Sequence, residues 1–104
     1  KRLLKSGKLR ILTIGCGTGT WLLETAKKYS TNIYIGLDNL SEFPSHELHH
    51  QNTGFLKCDY LCGIPFDNST FDLIHDFVDR SELSDFQCEN LFSEIARVLK
   101  PGKK

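Results

Sequence analysis

The sequence lacks an apolar run long enough to cross a bilayer, an excess of charge of either sign, any Cys-x-x-Cys pair and an initiator methionine. Each absence removes a class of protein. A spanning helix needs about 20 consecutive apolar residues, and with an ordinary apolar and charged content the chain reads as a globular domain with no membrane partner. Thirteen basic residues balance thirteen acidic ones, so no net field draws a polyanion, and a nucleic-acid substrate would need separate evidence. Cys16, Cys58, Cys62 and Cys88 are irregularly spaced, which favours reduced thiols over a disulfide framework or a zinc ribbon. The segment Lys1 to Lys5 is basic but lacks the apolar core and cleavage site of a secretory signal, which implies a cytoplasmic address. With 104 residues there is room for one modest core and no second domain. The chain stops after Leu99-Lys100-Pro101-Gly102, which reads as a helix exit, so a piece of a longer domain is expected.

What is present has the rhythm of strands alternating with helices. Residues 9–14 form a nearly continuous apolar run that halts at glycine, the pattern of a strand buried on both faces. Trp21, Leu22, Ala26 and Tyr29 recur at helical spacing over residues 20–29, with Lys27 and Lys28 suited to the C-terminal end of the helix dipole. A second strand is predicted at 33–37, ending at Asp38. Residues 41–52 support only a short irregular helix. A third strand is predicted at 54–58, then a turn at 65–69 in which Asp67 and Asn68 can bond their own backbone, then a fourth strand at 71–77. Ser84 and Gln87 have capping-box spacing and open a helix to about Leu99, with Leu91, Phe92, Ile95, Val98 and Leu99 assigned to its buried face. Right-handed crossovers then predict an α/β fold, a Rossmann-like three-layer sandwich with a parallel sheet in strand order 3-2-1-4.

The chemistry concentrates at Gly15-Cys16-Gly17-Thr18-Gly19, between a buried strand and an amphipathic helix. Glycines let the chain turn sharply and let a ligand approach the backbone, and the free N–H groups of the first helical turn favour an anionic group. A tight strand-to-helix turn with no ligand is the plain alternative. Against it stands Asp38, about twenty residues on at the end of the next strand, where a carboxylate can accept both ribose hydroxyls of an adenosine ligand; a turn or cap aspartate is its alternative. The third glycine falls one residue earlier than a dinucleotide fingerprint requires, and neither a Gly-Lys-Ser/Thr ending nor a loop cation is present. An adenosine ligand ending in a carboxylate therefore fits better than NAD or a nucleoside triphosphate.

Several further stretches join this loop. They are Ile35-Gly36-Leu37-Asp38, Cys58-Asp59, Ile64 to Asp72 leading into the fourth strand, and Arg97-Val98-Leu99-Lys100-Pro101-Gly102. With the Gly15 to Trp21 segment they resemble the class I S-adenosylmethionine-dependent methyltransferases, in particular fungal small-molecule-type members. The resemblance implies that Gly15, Cys16, Gly17, Thr18 and Gly19 hold the methionine part of S-adenosylmethionine, Asp38 the ribose and Asp59 the adenine amino group, with Tyr60 bordering the adenine. For Asp59 a solvated loop carboxylate is the alternative, and for Tyr60 core packing. It also implies further strands after the Pro-Gly turn, so residues 1–104 are expected to be the cofactor-binding part of a methyltransferase domain, with an exposed edge on strand four. Two positions depart from the pattern. Thr13 stands where family members commonly carry an acid near the cofactor's ammonium group, a loss of roughly 1–3 kcal/mol of binding; Lys103 stands where a second glycine is usual.

Methyl transfer is an in-line displacement that needs alignment and exclusion of water more than a base. His75, Asp76, Asp79 and Arg80 are the residues placed to face a small-molecule acceptor, although His75 reads more readily as a packed histidine, and the other three as a solvated loop. No catalytic residue is assigned. His46, His49 and His50 near Cys58 and Cys62 fit no zinc spacing, so no metal is expected. Trp21 and Phe55 are read as core. A methyltransferase-like module that binds without turnover is the other functional reading, motivated by Thr13.

Overall fold

The computed structural model describes residues 8–40, 43–44 and 50–102. Four strands, β1 (Arg10–Ile14), β2 (Ile33–Asp38), β3 (Thr53–Lys57) and β4 (Leu73–Asp76), form one sheet in the order β3-β2-β1-β4. All three pairings are parallel. Helix α1 (Thr20–Lys28) joins β1 to β2, and helix α2 (Asp85–Val98) follows β4. The predicted α/β class and strand order are those observed, and no described helix is long and apolar enough to cross a membrane.

The pleat sorts side chains to two faces. Ile11 and Tyr34 meet Leu22 and Ala26 of α1, while Leu12, Ile14 and Leu37 meet Ile64, Phe71 and Val98 on the α2 side. Ile11, Leu12 and Ile14 have no exposed surface, which explains why β1 reads as a nearly continuous apolar run. Full burial of side chains of this size stabilises by about 1.5–3 kcal/mol each. Three layers result, with α1 and α2 on opposite faces of the sheet.

Helix α2 starts as its sequence dictates. Ser84 accepts from the Gln87 amide at 3.1 Å and Gln87 accepts from the Ser84 amide at 2.9 Å, a complete capping box. Its buried stripe is narrower than the spacing suggests. Leu91 and Val98 are fully buried, but Phe92 is 72% exposed. Phe92 follows Leu91 by one residue, about 100° around the helix, and so turns off the stripe. The fourth strand is also shorter than predicted. Phe71 makes an isolated parallel bridge with Leu99 instead of extending β4, and the Asp72 carboxylate accepts from the Arg10 amide at 2.9 Å.

The connection from β3 to β4 is held from α2, where Glu94 accepts from the Ile64 amide at 2.8 Å. Arg97 on α2 donates to Glu94, to the Ile64 and Phe66 carbonyls and to the Asn68 side chain, at 2.7 to 2.9 Å. Asn68 is thus an acceptor for Arg97, and Thr70 bonds the Asp67 carbonyl at 2.7 Å. Of the segment 41–52, residues 41–42 and 45–49, including His46 and His49, lie outside the described residues, as does Lys103.

Candidate functional site

At the carboxyl ends of the strands the chain between β1 and α1 places three of five residues in the left-handed region. Gly15, Gly17 and Gly19 have φ of 74°, 57° and 77°, a region that costs a residue with a Cβ roughly 1–2 kcal/mol. The Gly15 and Cys16 amides both donate to the Leu37 carbonyl, at 2.9 and 3.1 Å, which stitches the loop to β2. Gly19 is the N-cap of α1 and carries no side-chain cap, and the first turn has no acid. The helix start is therefore uncapped by side chains and receptive to an anionic group.

Asp38 ends β2 and faces this loop. Its Oδ2 accepts from the Gly17 amide at 2.8 Å and its Oδ1 from the Leu40 amide at 2.9 Å. Loop and carboxylate, 21 residues apart, thus share one side of the molecule. A methyl placed on Gly17 would meet no described heavy atom within 4 Å, so the approach over this glycine is open.

Gly19 and Gly36 are close against their neighbours. A Cβ on Gly19 would lie 2.7 Å from Phe55 Cε1 and 3.2 Å from Pro44 Cδ, and one on Gly36 would lie 2.9 Å from Cys16 Sγ and 3.0 Å from Phe55 Cδ1. Phe55 of β3 therefore props the loop across Gly36, with Phe43 beside it at 5.3 Å between ring centroids. The assignment of Phe55 to the core did not anticipate this support. A glycine in the middle of an apolar strand was the available signal, because it marks close approach of another group.

Asp59 and Tyr60 follow β3 at the same edge. Asp59 is exposed and caps the 3-10 turn Tyr60–Cys62, its Oδ1 accepting from the Leu61 amide and its Oδ2 from the Cys62 thiol, both at 3.2 Å. Burial raises the Tyr60 phenol pKa, and so do the carboxylates of Asp38, Asp76 and Asp59, while Arg80 opposes them. One phenol thus senses acids from the ends of β2, β3 and β4. Burial, followed by Asp38, pushes the Cys16 thiol up to about 11. The loop cysteine is consequently a protonated thiol at neutral pH, without thiolate nucleophilicity. Thr18 bonds Thr20 through their hydroxyls at 3.2 Å.

The four acceptor-facing candidates part company. His75 packs its ring 4.1 Å from Trp21 and 5.2 Å from Phe77 between centroids. Burial lowers its pKa, which favours the neutral imidazole. Asp76 and Arg80 form a bidentate pair with contacts of 2.6 and 3.2 Å. A half-exposed pair of this kind contributes about 0–1 kcal/mol. Asp79 accepts from the Ser81 amide at 2.9 Å, and that bond holds its carboxyl below the usual range. These bonds occupy the acids and Arg80 locally.

Among the described residues two buried side-chain atoms lack a hydrogen-bond partner, Thr13 Oγ1 and Asn39 Oδ1. Thr13 is the last β1 residue but one and Asn39 directly follows Asp38, so both border the glycine loop. Among the described residues no group of three or more His, Cys, Asp or Glu is placed to hold a metal ion. A separate cleft of about 580 Å³ opens at the opposite edge of the sheet, between Ala26, Ser30, Asn32, His50 and Asn52.

Residues 11–102 match a family described as the methyltransferase domain. The chain is 31% identical over 101 residues to the secondary metabolism regulator laeA of Coprinopsis cinerea, covering 89% of this chain and 22% of that protein. It is 30% identical over 98 residues to 24-methylenesterol C-methyltransferase 2 of Arabidopsis thaliana, covering 89% and 27%. The chain thus spans about a quarter of the length of these curated relatives. Its fold superimposes on an S-adenosylmethionine dependent methyltransferase from Mesorhizobium loti with a TM-score of 0.76 at 23% identity, covering 98% of this chain and 48% of that one. The phosphoethanolamine N-methyltransferase 1 of Haemonchus contortus, solved with phosphoethanolamine and S-adenosylhomocysteine, aligns with a TM-score of 0.76 at 20% identity, over 90% and 20% of the two chains.

Proposed function

The chain belongs to the methyltransferase domain family, and from that premise we propose that it binds S-adenosylmethionine at the carboxyl edge of its sheet, for methyl transfer to a small-molecule acceptor. The observation that carries this reading is the 2.8 Å bond between the Gly17 amide and Asp38. It unites an open backbone bend with a carboxylate at the tip of the neighbouring strand. The residues suit an adenosyl ligand. Among the described residues nothing lies within 4 Å of a Cβ at Gly17, which leaves its backbone approachable, each Asp38 oxygen keeps a second lone pair for a ribose hydroxyl, and Asn39 Oδ1 is a buried acceptor without a partner.

In this reading the Gly15 to Gly19 backbone, with Cys16 and Thr18, holds the methionine part. Asp38 holds the ribose, Asp59 the adenine amino group, and Tyr60 borders the adenine. When bound, the cofactor supplies a methyl group on a sulfonium, an electrophile that needs alignment more than a base. The protein's tasks are then to orient and to exclude water. His75, with its ring against Trp21 and Phe77, lines the edge. The name of the sterol C-methyltransferase relative supports a small-molecule acceptor here.

Titration calorimetry with S-adenosylhomocysteine tests the assignment. Saturable binding that weakens at least tenfold in Asp38→Ala is expected, and absence of heat from the wild-type protein would overturn it. Thr13, standing where the resembling family commonly carries an acid, motivates a second reading, a module that binds the cofactor without turnover. Label transferred from methyl-labelled S-adenosylmethionine to any acceptor in an extract excludes that alternative.

A further inference from the structure

Asp38 does more than present oxygens to a ligand. Its two oxygens reach two different backbone segments, Gly17 in the loop after β1 and Leu40 in the loop after β2, at 2.8 and 2.9 Å. Gly17 is the central glycine of a bend in which Gly15, Gly17 and Gly19 are all left-handed. The flanks of that bend are fixed by backbone bonds, Gly15 and Cys16 to the Leu37 carbonyl and Gly19 to the Cys16 carbonyl. The amide at its centre is fixed instead by a side chain from the neighbouring strand. Among the described residues no atom lies within 4 Å of a Cβ at Gly17, so no described side chain packs there to do that work, and glycine has the largest backbone freedom to lose.

We propose that Asp38 is a positioning residue for the glycine loop, clasping it to the end of β2 before any ligand arrives. The ligand-facing part of its role rests on the reading above; the clasp rests on the geometry of the protein alone. A charge-assisted bond from a carboxylate to a backbone amide is about twice as strong as a neutral one. Removing it therefore leaves the Gly17 amide, between the anchored Cys16 and Gly19, without its acceptor. An asparagine can keep the Gly17 bond through its side-chain oxygen, although it cannot accept at both positions.

Amide hydrogen exchange followed by NMR on the ligand-free protein tests the clasp. The Gly17 amide should exchange at least tenfold more slowly than an unstructured glycine. It should lose that protection in Asp38→Ala and retain most of it in Asp38→Asn. A wild-type Gly17 amide that exchanges as in an unstructured loop overturns the proposal without recourse to a variant. Unchanged protection in a folded Asp38→Ala overturns it equally. Calorimetry with S-adenosylhomocysteine on the same samples separates the two roles: protection that depends on Asp38, with no binding by the wild type, upholds the clasp and rejects the cofactor assignment.

Discussion

Where the strands begin, Asn32 and Asn52 spend their side chains on neighbouring backbone; where the strands end, Thr13 and Asn39 hold buried polar atoms with no partner. At the first edge Asn32, fully buried, accepts from the Leu9 amide at 3.1 Å and donates to the Tyr34 hydroxyl at 3.2 Å. That hydroxyl donates to the Tyr29 carbonyl at 3.1 Å, and Asn52 donates to the Asn32 carbonyl at 2.9 Å. Neutral amides and a phenol close gaps that burial would otherwise leave costly. The opposite edge gathers carboxylates, left-handed glycines and an open approach over Gly17. One edge is completed by its own residues, and the other is arranged as though for something added. The cleft beside Asn32 and Asn52, although sizeable at about 580 Å³, belongs to the completed edge.

The sharpest way to break this contrast is to fill space at the ligand edge. Gly19→Ala combines a left-handed residue with a Cβ 2.7 Å from the Phe55 ring, and about 2–4 kcal/mol of stability should be lost. Urea denaturation measures this, and an unmoved midpoint would show that neither the left-handed backbone nor the Phe55 contact carries a cost. At the completed edge Asn32→Ala leaves the Leu9 amide buried without its acceptor. A loss of about 1–3 kcal/mol is expected, with the affinity for S-adenosylhomocysteine unchanged; weakened binding would show that the two edges are coupled. The smallest effect tests the unpaired hydroxyl. Thr13→Val removes a buried group that bonds nothing, so thermal unfolding should show a gain of up to about 1 kcal/mol. A loss would mean that the hydroxyl has a partner such as an ordered water.

The features legible in the sequence are those written locally. The β1 run, the capping box at Ser84 and Gln87, and the glycine loop each occupy a few adjacent residues, and handedness rules convert their order into the sheet. The spacing between the loop and Asp38 also carried through to a shared edge. What escaped was long-range. Phe55 meets Gly19 only because β3 lies beside β2, and Gly36 leaves room between them. Phe92 has a helical spacing compatible with burial, yet nothing covers enough of it to reduce its exposure below 72%. Asp59 stands at its expected place but already accepts from Leu61 and Cys62, bonds that a motif does not encode. The edge network of Asn32, Tyr34 and Asn52 joins residues whose proximity only the folded sheet creates.

The Arg97 guanidinium has a consequence for engineering. The shape of residues 64–68 is stored in a helix some thirty positions downstream, since Arg97 binds the carbonyls of Ile64 and Phe66 and the side chain of Asn68. A chimera that imports this segment from a homologue without the matching arginine and Glu94 would import a loop without its mould. Transplanted as a set, the loop and the last two turns of α2 form a portable cassette.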